Sequence, residues 1–141
     1  MTYATGTTID APFAQTLDRV RAELGAQGFG VLTEIDVRRT LHDTLAEDVE
    51  DYVILGACNP VLAHRALQVD PSIGLLLTCN VVVRAVGART AVEYVDPHAM
   101  ITLTRLADLE AVAEEAATGL RAALQALHQP ALQAGDDPSG G

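Results

Sequence analysis

The chain contains no lysine and no tryptophan, and aromatic residues make up only 4% of its 141 residues. The absence of lysine removes Schiff-base chemistry and the phosphate-gripping lysine of a P-loop. The scarcity of aromatics means that any core is built from Ala, Val, Leu and Ile. There is no GxSxG elbow, no GxxxxGK[ST] loop, and no GxGxxG followed by an acidic partner. No stretch reaches the ~18 apolar residues of a membrane span. The longest apolar run, Ile73 to Val83, is interrupted by Gly74, Thr78 and Asn80. The first residues lack both the basic start and the apolar stretch of a signal peptide. A cytoplasmic protein is the expectation, and its only two cysteines, Cys58 and Cys79, are then reduced.

What is present is a globular composition, 49% hydrophobic with a net charge of −10. All nine basic residues are arginines, and they are scattered along the chain. Nucleic acid, which demands a basic footprint, is not an expected partner. The acidic balance favours solubility without naming a partner.

The hydrophobic periodicity predicts an order of elements. Thr2 to Ile9 reads as an opening strand. Phe13, Leu17, Val20 and Leu24 recur at helical spacing behind an expected Asp10 cap, and Gly25 and Gly28 end that helix. Phe29 to Ile35 reads as a strand, and Asp36 as the cap of a short helix through Leu41 and Leu45. The acidic connector Glu47 to Asp51 is a solvated loop. Tyr52 to Ala57 is a buried strand, and Asn59-Pro60 opens a helix from Val61 to Val69. Leu75 to Val86 and Arg89 to Val95 supply two more strands around Gly87. Asp96-Pro97 starts a helical turn through Met100, and a last helix runs from near Asp108 to about Leu127. The ordered domain is expected over residues 1–128, with a disordered tail over 129–141.

Strands in hairpin-like succession between long helices point to an α+β, two-layer fold. The strands Tyr52–Ala57 and Leu75–Val83 are apolar on both alternating faces. Helices cover one face of such a sheet, and a second copy of the chain is the simplest cover for the other. A homodimer is the expected assembly.

The chemistry is concentrated in Gly56-Ala57-Cys58-Asn59-Pro60 and the following His64-Arg65. A thiol between a strand end and a helix start sits where free amides and the helix dipole lower its pKa. Gly56 leaves room for the close approach of a ligand or backbone. Against this stands a plain reading: free cysteine is often a small buried hydrophobe, and Asn59-Pro60 is explained by helix capping alone. A second Cys-Asn pair, Cys79-Asn80, follows after twenty residues. If its strand neighbours the first, the thiols meet or share a metal, with His64 and His98 as further ligands. Two cysteines without CxxC spacing fall short of a zinc pattern, so no metal is assigned. His42 and His128 read as surface residues, and no cofactor is specified.

The blocks Gly28–Asp36 (GFGVLTEID), Tyr52–Arg65 (YVILGACNPVLAHR) and Gly74–Val83 (GLLLTCNVVV), with Val95-Asp96-Pro97 and Met100, resemble the domain-of-unknown-function family 302 over roughly residues 5 to 127. Thr78 stands where that pattern has proline. The resemblance implies a two-layer β-α-β4-α sandwich with a mainly antiparallel sheet, grouped with TATA-binding-protein-like folds. It implies no activity and no catalytic list. It marks Cys58-Asn59-Pro60, His64-Arg65 and Cys79-Asn80 as distinctive.

Three readings follow. The first is a dimeric, non-enzymatic module holding a small ligand (an anion, a thiol-reactive compound or a metal) among Gly56, Cys58, Asn59, His64, Arg65, Cys79 and Asn80. The second is a purely structural or partner-binding domain. The third, ranked last, is a thiol-based redox or sulfur-carrier protein using Cys58 and Cys79.

Overall fold

A computed structural model describes residues 3–130. The expected tail therefore lies outside the described residues, apart from its first two positions. The elements run β1 (Ala4–Ile9), α1 (Phe13–Ala26), β2 (Gly30–Asp36), α2 (Val37–Leu45), β3 (Tyr52–Cys58), α3 (Pro60–Val69), β4 (Cys79–Val86), β5 (Arg89–Val95), α4 (Ala99–Thr104) and α5 (Glu110–Ala126). The five strands form one sheet in the order β1-β5-β4-β3-β2, with every neighbouring pair antiparallel. β1 and β2 are consecutive strands yet occupy opposite edges, so α1 spans the width of the sheet between them.

Residue alternation divides each strand between two faces. Val53, Leu55 and Ala57 of β3, Val81 and Val83 of β4, and Val92 and Tyr94 of β5 are buried on one side. Against them lie Leu17, Val20 and Leu24 of α1, Leu62 and Ala66 of α3, and Val112, Ala116, Leu120 and Leu124 of α5. These spacings are the three- and four-residue steps of a helix stripe. Alanines at 113, 116, 117 and 123 hold α5 close to its neighbours, which suits a core nearly without aromatics. This is the two-layer α+β arrangement that the element order predicts.

Among the described residues, no helix layer covers the other face. Ile35, Tyr52, Ile54, Val82, Ala91 and Val95 point to that side by alternation, with Arg84 bonded to Glu93 across strands at 2.9 Å. Gly56 is on this face as well, and a Cβ there would stand 2.1 Å from Thr33 Oγ1 and 3.1 Å from Thr78 Cγ2. The missing side chain is thus filled by its neighbours' threonines, not held open for a ligand as the sequence suggested.

Local chemistry sets the boundaries. Asp36 accepts from Arg39 N (3.0 Å), and Asn59 accepts from Val61 N and Leu62 N (3.1 and 3.3 Å), as their sequence positions anticipate. Asp70 likewise caps a 3-10 turn, Pro71–Leu76, through Ser72 N. Two expectations need correction. Asp10 does not cap α1; Pro12 stands at its N-cap without a side-chain bond. Leu75 and Leu76 are not strand residues, because Asp70-Pro71 winds the chain into that 3-10 turn and delays β4 until Cys79.

Candidate functional site

The two Cys-Asn pairs come to one end of the sheet, on adjacent strands. Ala57 is paired with Cys79 and Gly56 with Asn80. Because facing residues share a side of the sheet, Cys79 points with Ala57 toward the helices, and Cys58 points the opposite way. Both thiols are free. Their opposed directions prevent the direct cross-strand disulfide that a resolving pair requires.

Cys58 is buried, and burial raises its thiol pKa above the ordinary value. The helix start does not win, so the lowered pKa expected there is corrected. Cys79 is half-buried on the helix side, where it lines a void with Leu62, Ala66, Val112 and Ala116. Desolvation, with a smaller contribution from the neighbouring Cys58, pushes it up to about 11. Both are thiols, not thiolates, at neutral pH.

The surroundings of the α3 start also differ from expectation. Asn59 spends its side-chain oxygen on two amides, and Pro60 has no amide to offer. The depression of about 540 Å³ beside this helix start has Glu114 and Glu115 as its charged residues, which is unsuited to an anion. Arg65, a candidate anion contact, is bonded instead to Glu115 at 2.5 Å. His64 is exposed on α3.

A different concavity takes in the second pair. A groove of about 240 Å³ is bounded by the 3-10 turn, the start of β4, the end of β5 and α4. Thr78, Cys79 and Asn80 form one wall, and Val95, Asp96 and Pro97 form another. Met100 and Ala99 close the inner end. Leu75 (88% exposed) and Leu103 (69% exposed) stand at its rim. Cys79 and Met100 also line a narrow internal void of about 30 Å³ beneath α3 and α5, so they form the partition between groove and core. Sequence reasoning named Cys79 and Asn80 but missed Leu75, Ala99, Met100 and Leu103 as site residues. Their signal was weak: large apolar side chains on short helical turns, with no partner spacing to mark them.

His98 ties the floor of this region to α5. Nδ1 is 2.7 Å from Asp96 Oδ1 and Nε2 is 2.8 Å from Glu114 Oε2. The hydrogen bond to Asp96, then that to Glu114, raises the histidine pKa, while the backbone amide of His98 leads in lowering that of Asp96. His98 is therefore an N-terminal brace for α4, in line with its predicted place at a helix start. His42 and His128 are exposed and contact Asp48 and Thr7. Among the described residues, no three His, Cys, Asp or Glu side chains converge on a possible metal position. Among the same residues, no helix is long and apolar enough to cross a membrane.

Comparison with known proteins agrees with the fold and adds no activity. No curated protein matches this sequence. The crystal structure of an uncharacterized conserved protein DUF302 from Bacillus stearothermophilus superposes with a TM-score of 0.82 at 25% identity, over 89% of this chain and 98% of that one. The model of the family described as "Domain of unknown function DUF302" matches residues 5–127. With nearly every described element inside that match, the chain belongs to the DUF302 family.

Proposed function

We propose that this chain is a non-enzymatic binding module for a small, uncharged, partly apolar ligand held in the groove between Thr78–Asn80, Val95–Pro97 and Met100. The observation that carries this reading is the convergence of two sequence-distant stretches, Leu75–Asn80 and Val95–Leu103, around one concavity with few polar groups. Binding sites are typically built as apolar clefts with a small number of placed polar groups. Leu75, Leu76, Val95, Pro97 and Leu103 provide the apolar surface, and Asn80 offers both a donor and an acceptor. Asp96 disfavours an anion. Of the ligand classes considered from the sequence, a neutral compound replaces the anion, and a thiol-reactive one has no thiolate to meet. Of the seven expected site residues, Cys79 and Asn80 enter this reading. Gly56, Asn59 and Arg65 serve packing, capping and ion pairing, and Cys58 and His64 lie outside the groove.

Two protonated thiols on opposite faces favour this reading over a redox or sulfur-carrier role, and free cysteines suit a reducing compartment such as the cytoplasm. The test is a titration of the labelled protein with neutral amide- and alcohol-bearing fragments, followed by NMR. Saturable shifts are expected at Cys79, Asn80 and Met100, and Ala99→Phe, which fills the groove, should abolish them. Shifts confined to other surfaces, or unchanged in Ala99→Phe, would sink the proposal.

A further inference from the structure

Among the described residues, the sheet face opposite the helices has no covering layer. Ile35 and Val95 on it are 49% and 48% exposed, and Ile54 and Val82 are half-buried between them. Five strands spaced about 4.8 Å apart, each of six to eight residues at about 3.3 Å, give a face roughly 24 Å by 23 Å before side-chain relief is added. That is of the order of the ~800 Å² each partner contributes to a standard interface.

Its charge is also unlike the rest of the molecule. The chain carries −10, which repels a copy of itself over most approaches. The strand positions directed to this face carry two arginines, Arg84 and Arg89, against one glutamate, Glu93. A second copy is therefore not repelled here. A two-fold axis passing beside the Arg84–Glu93 pair would set each copy's Arg84 near the other's Glu93. The face is also levelled. Glu93 lies over Gly6, where a Cβ would stand 2.8 Å from Glu93 Cγ, and Thr33 lies over Gly56.

We infer that this face is the docking surface for a second copy of the chain, packed sheet to sheet. Asn80 and Val95 line both the proposed ligand groove and a shallow depression of about 220 Å³ on the open face. The partner copy thus closes the groove on the side where one chain leaves it open. That last consequence rests on the ligand reading; the association itself does not.

The experiment is the molar mass of the purified full chain by light scattering at roughly 50 μM, a concentration at which a standard-size interface with micromolar affinity is largely formed. Twice the chain mass is expected, falling to the chain mass in Val82→Asp and in Ile35→Asp. Circular dichroism verifies that each variant is folded, and edge-strand Ile35 provides the test if Val82→Asp does not fold. Arg84→Glu should also give the chain mass, and Arg84→Glu with Glu93→Arg should restore the doubled mass. A native chain that runs as a monomer overturns the proposal, leaving the face to a different partner. A folded Ile35→Asp variant that keeps the doubled mass overturns it too, because the contact then lies elsewhere. Neither mass depends on any ligand, so this inference and the groove reading fail separately.

Discussion

The two Cys-Asn pairs differ by a single step of strand register, and that step decides their fates. Asn59 follows the last residue of β3, where the chain enters a helix, so its oxygen is committed to Val61 N and Leu62 N. Asn80 is the second residue of β4, where the strand ladder satisfies the backbone and leaves the side chain exposed. Cys58 faces away from the helices, and Cys79 faces into them beside Met100. The same dipeptide is thus a helix start in one place and a groove wall in the other. A motif repeated in sequence is a repeat of residue types; the register of the sheet decides whether it is a repeat of function.

This contrast can be broken at several points. The largest effect should be at Cys79. With a pKa of about 11 against an ordinary 9.0, its thiolate fraction at neutral pH is about 100-fold below that of the unfolded chain. Alkylation followed by mass spectrometry should be slower by that factor in the native state and should accelerate as pH rises toward 11. Folded protein holds this proton after unfolded protein has lost it. The resulting stabilisation is present below about pH 9 and disappears as pH climbs through the folded value. Cys79 alkylation at the unfolded rate at pH 8 would show that the partition beside Met100 is open.

Next in size is Gly56→Ala. Its new methyl meets Thr33 Oγ1 and Thr78 Cγ2, an overpacking that should cost about 1–3 kcal/mol in urea unfolding. Thr33→Ala in the same chain should recover most of that loss. If Gly56→Ala alone is neutral, the glycine is not there for packing, and the ligand-approach reading regains its footing. The smallest effect sharpens the comparison itself. Asn59→Ala should cost about 1 kcal/mol as a lost cap, and Asn80→Ala less than about 0.5 kcal/mol. Equal losses at both would mean that Asn80 holds structure as well.

Much of the fold was legible because local signals agreed with tertiary demands. Asp36 and Asn59 cap where their sequence positions say they should, and the apolar stripe of α5 faces the core. Legibility failed where backbone geometry overrode composition. Leu75 and Leu76 look like strand residues, yet Asp70 and Pro71 start a 3-10 turn that takes in both and places Leu75 at the groove rim. The site was half legible for the same reason. Cys79 and Asn80 stand out by type, but Ala99, Met100 and Leu103 join them only through the return of the chain after β5. The thiol at Cys58 was misjudged because a helix start promises a lower pKa, and nothing in the residue order reveals that burial outweighs it.

The crossing of α1 from one sheet edge to the other also bears on how the protein is made. β1 is synthesised before the other four strands, but among the described residues its one strand neighbour is β5, with Ala4 paired to Val95. On the ribosome, β1 waits with an unsatisfied edge while most of the chain emerges, and α1 has no finished sheet to cross. Pairings so distant in sequence slow folding and leave an unpaired strand open to wrong neighbours. The ladder between the first strand and the last cannot form until β5 has emerged, and a nascent chain stalled before β5 leaves β1 without that partner.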